Sequence, residues 1–333
     1  MIKRRLFSAG LLAAPFAQSV FSGPAFAQNA QPAWQPSGPI KMVVAYPAGG
    51  PTDVIARIVA ADISGPLGQQ VVVENVSGGA GAIGTRAVAK AKPDGQTITF
   101  GNNQTHGNNM FMLKEPGYDA VKDFAPLAGA GAFEHVFVVR NDLPVKNIQE
   151  LIALAKSKPG TLNYGSSGPG SNYHMAGELL KNIAGIDIVH VPYKGSTGAR
   201  NDILSGQIQL MFDAVPTMTS TIESGMVRAI GTSGLKRSPG LPKVATLDEG
   251  GAKGFQATLW VGMMAPAGTP QAIIDILHRE IQKANNNPAL RETWEKQGAV
   301  PLSMAQPAFK DFMQKEVDRW AKVIADNKIQ LAN

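Results

Sequence analysis

Val43–Ala60 reads VVAYPAGGPTDVIARIVA. An apolar, β-branched run stops at Tyr46-Pro47-Ala48-Gly49-Gly50-Pro51. Thr52-Asp53 then opens a segment with Val54, Ile55, Ile58, Val59 and Ile63 at helical spacing. Buried strand, glycine turn and amphipathic helix, in that order, make the repeating unit of α/β folds. The turn has two readings. Glycine takes positive φ without strain, so Gly49-Gly50 can be plain geometry. The first N–H groups of a helix lack intrahelical partners and carry the positive end of its dipole, so the same turn can hold an anion.

The same alternation runs outward from this unit. Ile40–Tyr46 predicts a strand, followed by helix 53–63, strand Val71–Glu74, helix 82–91 and strand Thr97–Phe100. Val136–Val139 predicts another strand, then helix 147–157, strand 162–164, helix 172–184 and strand 187–191. Helix 197–205, strand Gln207–Phe212, helix 217–224 and strand 227–231 complete a second block. Strands separated by helices predict parallel sheets covered on both faces. After Leu259–Ala265 only helical periodicity remains, near 270–286, 289–297 and 305–327. These helices have no sheet of their own and are expected to return to the first block through that strand. The expected division is residues 38–131 with 258–333 as one α/β domain and 132–257 as the other, with crossings near 130 and 257. Ligands of open α/β sheets sit beyond the strands' carboxyl ends. Two such domains face each other across a cleft that can close on a small molecule.

The chain has 333 residues and no cysteine. Lys3, Arg4 and Arg5 precede a mostly apolar stretch, Leu6–Phe21, and Ala25-Phe26-Ala27 has the small-x-small pattern of a cleavage site. Residues 1–27 therefore read as a secretory signal peptide, with Gln28 the first mature residue. Arg4-Arg5-Leu6-Phe7 also fits a twin-arginine signal, so Sec and twin-arginine export both stand. An exported chain without cysteine must be held by its core alone. Beyond the signal no apolar run reaches the length of a membrane span, so no membrane insertion is expected after its removal. The formal net charge is +6, and the three basic residues of the leader account for half of it. Basic residues are dispersed, with no block interleaved with aromatics, which argues against nucleic acid.

The helix start and five further segments carry candidate chemistry. Thr52 can cap the first helix or donate to a carboxylate, while Asp53 stabilises a helix start, orients loop amides or receives a ligand ammonium. Gly79-Ala80-Gly81-Ala82-Ile83-Gly84 matches the dinucleotide fingerprint in letters only, because no acidic residue follows at the required offset. It reads instead as another glycine loop at a helix start. In Tyr164–His174, YGSSGPGSNYH, the hydroxyls of Ser166, Ser167 and Ser171 stand beside Gly168, Gly170 and His174; Ser171 is also a plausible N-cap. Val191–Gly198, VPYKGSTG, places Tyr193, Lys194 and Gly195 just past a strand. Lys194 is either solvated or ligand-facing. Asp213, in MFDAVP, either accepts from a ligand amine or caps the next helix. Thr105 and His106 lie past the end of another strand. No zinc, calcium or Walker A pattern is present, and no cofactor or metal is expected. One other class competes: an exported serine hydrolase using Ser167 or Ser171 with His174. The G-x-S-x-G elbow fails, since Pro169 occupies its last place.

YPAGGPTD, ENVSGGAGAIGT, YGSSGPGSNYHMAGEL, HVPYKGSTGA, MFDAVP and APAGTP, in this order, closely resemble the Bug (TctC-like) extracytoplasmic solute receptors of tripartite tricarboxylate transporters. The resemblance spans nearly the whole mature chain. It implies a type II periplasmic-binding-protein fold and a non-enzymatic, periplasmic, monomeric receptor. Such receptors deliver small carboxylates (di- and tricarboxylates, acidic amino acids, aromatic carboxylates) to membrane transporter subunits or to a sensor. It further implies that Pro47–Asp53, Ser166–His174 and Tyr193–Gly195 approach the ligand, with Gly49-Gly50 holding a carboxylate directly or through water. After Thr105-His106 the chain runs GNNMFMLKEPGY, where the family often has an Asn-Pro-Ser-Leu-Tyr segment.

Overall fold

The computed structural model describes residues 34–296, 299–326 and 329. The basic leader, the apolar stretch after it and the cleavage pattern lie outside the described residues. The first elements are β1 (Ile40–Val44), α1 (Pro51–Ser64), β2 (Val71–Asn75), a short 3₁₀ turn (Gly79–Gly81), α2 (Ala82–Ala89), β3 (Thr97–Asn102), a π-type turn (Gln104–Asn108), α3 (Asn109–Met112) and β4 (Phe124–Arg140). Next come α4 (Ile148–Ser157), β5 (Asn163–Ser166), α5 (Asn172–Ala184), β6 (Val189–Pro192), α6 (Ser196–Ser205), β7 (Leu210–Ala214), α7 (Val215–Glu223) and β8 (Val227–Thr232). The remaining elements are β9 (Thr258–Pro266), α8 (Gln271–Asn286), α9 (Pro288–Lys296), β10 (Ala299–Pro301) and α10 (Gln306–Asp326).

β1 lies between β2 and β3, parallel to both, with Met42 opposite Val73 on one side and Ile98 on the other. α1 covers this sheet with Ile55, Val59 and Ile63, at most 1% exposed. Each such side chain contributes about 2 kcal/mol by leaving water. The sheets are not purely parallel, contrary to the expectation from strand–helix alternation. β9 returns antiparallel and inserts between β3 and β4. β4 is the element both sheets share. Its first half pairs with β9, and its second half pairs antiparallel with β7 and β8. β5 and β6 continue the second sheet in parallel from β7.

The first half of β4 and the short β10 were not expected from the sequence. Phe124–His135 is rich in alanine and glycine because large groups press on it. A Cβ at Gly131 would collide with the Trp294 ring, and one at Gly129 would lie 2.7 Å from the Leu302 carbonyl. β10 then pairs antiparallel with the same stretch, Ala299 opposite Phe133. α10 serves two cores. Phe309 and Met313 pack with Trp260, whereas Trp320 and Ile324 pack with Phe137, Tyr173 and Leu180 around the second sheet. No helix among the described residues is long and apolar enough to cross a membrane.

Candidate ligand-binding site

Three strand-to-helix connections and the end of β3 converge on one cavity. The first connection is Tyr46–Gly50. Gly49 has φ +79°, and Gly50 is the N-cap of α1 without any side-chain cap. Pro51 has no N–H, so Thr52 and Asp53 supply the first amide donors of the helix. The loop is held from below by Asp53. Its carboxylate accepts from Gly49 N at 2.8 Å, from Arg57 Nε at 3.0 Å and from Asn75 Nδ2 at 2.8 Å. Burial alone pushes the Asp53 carboxyl up, but the bonds from Arg57, Gly49 and Asn75 outweigh it and hold it below the usual range. Asp53 is therefore spent on shaping the loop, as is the Gly49 amide.

At the end of β3, Asn102 Oδ1 accepts from Tyr46 Oη at 2.8 Å and from the backbone N–H of Gln104 at 2.9 Å. Asn102 thereby ties the first loop to the π-type turn. The second connection follows β5: Ser171 caps α5, its Oγ accepting from His174 N at 3.2 Å. The third follows β6: Gly195, at φ +102°, is the uncapped N-cap of α6, and its N–H donates to the Ser167 carbonyl at 3.2 Å. One turn into α6, Arg200 lies 3.4 Å from Asp213 Oδ2 and donates to Thr197 Oγ1 at 3.2 Å. Asp213 is fully buried at the end of β7. Burial pushes its carboxyl up, and the Arg200 charge opposes that shift. The pair fixes a guanidinium at the cavity wall.

The cavity measures about 160 Å³. From the first connection and the start of α1 it is lined by Tyr46, Pro47, Ala48, Gly49, Gly50 and Thr52, from the end of β3 by Asn102 and from the π-type turn by Gln104. Ser167, Asn172 and Tyr173 line it from the second connection, and Lys194, Gly195, Ser196, Thr197 and Arg200 from the third, with Leu259 of β9 closing it. A second chamber of about 520 Å³ adjoins it, sharing Tyr46, Pro47, Gln104, Ser167, Lys194 and Gly195. Its other walls are Ala45, Ser77–Gly81, Gly168, Pro169 and Tyr193. Among the described residues no aspartate or glutamate lines either chamber. With Lys194, Arg200 and the N-termini of α1, α5 and α6 around it, the site is electrostatically suited to an anion.

The structure thus brings Tyr46, Pro47, Ala48, Gly49, Gly50, Thr52, Ser167, Lys194 and Gly195 to the smaller chamber and Gly79, Ala80, Gly81 and Tyr193 to the larger. Eight other sequence candidates line neither. Asp53 and Asp213 lie behind the walls, bound as described. Thr105 and His106 are buried, the imidazole bonded to Thr105 Oγ1 at 2.9 Å and edge-on to Phe124. Burial pushes that ring down to about 3, so it is neutral. Ser166 Oγ is 2.6 Å from His190 Nε2, whose ring stacks on His174. Ser171 is the helix cap, and Gly170 N donates to His174 Nδ1 at 3.1 Å. Of the two serines of the hydrolase reading, Ser171 has its Oγ on the His174 backbone N–H, and among the described residues no hydrogen bond joins Ser167 to the His174 ring, whose Nδ1 accepts from Gly170 N.

Asn102, Gln104, Ser196, Thr197, Arg200 and Leu259 were missed, and Asn172 and Tyr173, within the Ser166–His174 segment, were not singled out as Ser171 and His174 were. Four of them are first-turn residues of α5 and α6, and asking which side chains open those helices points to them. No group of three or more His, Asp or Glu side chains among the described residues can hold a metal.

Residues 55–329 match the family described as Tripartite tricarboxylate transporter family receptor. The chain belongs to this family. Its binding proteins are periplasmic and share the two-domain cleft of type II periplasmic binding proteins. One relative, the UPF0065 protein in the tcbD-tcbE intergenic region of Pseudomonas sp. strain P51, is 37% identical over 295 residues, 88% of each chain. Among solved structures of the same shape, R. palustris Rpa4515 with adipate is 32% identical, with a TM-score of 0.85 over 89% of this chain and 99% of that one. MatC (Rpa3494) from Rhodopseudomonas palustris with bound malate is 30% identical, with a TM-score of 0.81 over 87% and 99%.

Proposed function

We propose that this protein is a periplasmic receptor that binds one small organic carboxylate in the cleft and passes it to a tripartite-type transporter or a sensor, without chemical change. The observation that carries this reading is Arg200. It is held at a cavity wall by a buried carboxylate, in a lining that has no acidic side chain of its own. A guanidinium placed this way offers paired donors to a carboxylate. The family match and the adipate and malate complexes of related proteins support the same class of ligand. In this reading residues 1–27 direct export, by a Sec or twin-arginine route, and the monomer closes two domains, 38–131 with 258–333 and 132–257, on the ligand.

Titration calorimetry with malate, adipate, citrate, glutamate and phenylacetate tests it. At least one should bind with one site per chain and be recovered intact. Arg200→Gln and Lys194→Met should each weaken that binding by at least about tenfold, or roughly 1.4 kcal/mol, with melting curves to confirm folding. Unchanged affinity in both well-folded variants would remove Arg200 and Lys194 from the site, and steady consumption of the carboxylate, or no binding of any, would refute the receptor reading.

A further inference from the structure

The two chambers differ in a way that bears on ligand class. Arg200 lines only the smaller one, and Lys194 stands where the two meet. A cavity of about 150 Å³ holds a molecule the size of benzene. The smaller chamber, at about 160 Å³, therefore suits a carboxylate head and a few carbons. Anything longer extends into the larger chamber of about 520 Å³. There the walls are Ala45, Pro47, Ala80 and Pro169, with Tyr46 and Tyr193. Both phenols are already engaged: Tyr46 Oη donates to Asn102 Oδ1 at 2.8 Å, and Tyr193 Oη to Asp202 Oδ2 at 2.6 Å. Ser77, Gln104 and Ser167 offer polarity there, but beyond Lys194 no charged side chain lines the chamber. A second carboxylate placed there would find no cation beyond Lys194, which the head already engages, and would trade water for largely apolar walls, which is costly.

Ala80 marks this wall. Among the described residues it is the only non-glycine with positive φ, +55°, and its carbonyl is pinned by Asn109 Nδ2 at 2.9 Å. The surrounding fold maintains that strained backbone.

We infer that the cleft selects a carboxylate with one charged end and an uncharged, apolar body, an aryl or alkyl monocarboxylate in preference to a di- or tricarboxylate. The inference rests on the receptor reading and sharpens its ligand. The head pairs with Arg200 and Lys194, and the body fills the larger chamber.

Calorimetry on the purified protein with phenylacetate and hexanoate, against adipate, malate and citrate, tests it. One of the two monocarboxylates should bind at least tenfold tighter than every di- or tricarboxylate, and which of them wins tells aryl from alkyl. Ala80→Leu should cost that monocarboxylate at least tenfold by occupying the chamber. Ser77→Lys, at an exposed position on the same wall, should narrow the gap by improving adipate at least fivefold while the protein stays folded. Adipate, malate or citrate binding tighter than both monocarboxylates would overturn the inference and leave the receptor reading standing. So would unaltered monocarboxylate affinity in a folded Ala80→Leu, or no gain for adipate in Ser77→Lys. No binding of any carboxylate would overturn both.

Discussion

Two glycine turns follow two neighbouring strands of the first sheet, and they use glycine for opposite reasons. Beyond β1, a side chain at Gly49 would meet no atom within 4 Å, and one at Gly50 would meet only the Pro47 carbonyl, at 3.5 Å. Beyond β2, a Cβ at Gly81 would lie 2.8 Å from Thr105 Cγ2, and one at Gly84 would collide with the Val76 carbonyl and lie 3.2 Å from Ala45 Cα. The first turn leaves space open in front of a helix N-terminus. The second uses the missing side chain to bring α2 against β1. In letters, PAGGP and GGAGAIG look like one motif. One leaves open space beside the cavity, and at Gly81 and Gly84 the other gives up room that packing has taken.

Substitutions can break this contrast. Gly84→Ala should have the largest effect. Forcing a methyl against backbone costs about 3 kcal/mol, and alanine's better helix propensity returns about 1, leaving a net loss of about 2 kcal/mol in denaturant unfolding. Unchanged stability would mean that α2 can ride away from β1 freely. Gly50→Val should leave the denaturation midpoint where it is and weaken carboxylate binding by about tenfold, roughly 1.4 kcal/mol. A well-folded variant with full affinity would reduce the first turn to a structural bend. Gly49→Ala is the gentlest change. It meets no atoms, so only the left-handed backbone opposes it, and the unfolding free energy should fall by about 1 kcal/mol. A loss near that of Gly84→Ala would erase the distinction between strain and crowding.

The contrast also explains what could be read from the sequence. β1, α1 and β3 are local: the spacing of Ile55, Ile58, Val59 and Ile63 names the buried face before any partner is known, although Val54, read into the same pattern, is exposed. The first half of β4 is not local. Its alanines and glycines have little intrinsic strand preference, and they are extended because β9 and β10 pair with them and Trp294 covers them. The loops around the cavity were legible as glycine- and hydroxyl-rich connections between strands and helices. Which hydroxyls reach the cavity was not, because Ser166, Ser171 and Thr105 are bonded to His190, the α5 backbone and His106. Arg200 was invisible for a related reason. Within α6 it resembles any solvated arginine, and only the packing of that helix on β7 brings Asp213 beside it.

The place of β9 has a consequence for the order in which a growing chain can acquire its structure. β3 ends at Asn102, and the strand that lies between it and β4 does not begin until Thr258. A nascent chain that has emerged only through β8 holds every strand of the second sheet, while the first still lacks the strand between β3 and β4. The amino-terminal sheet is therefore the later of the two to be completed, and closing it brings together segments separated by about half of the polypeptide. Pairings of such long sequence separation are slow to form.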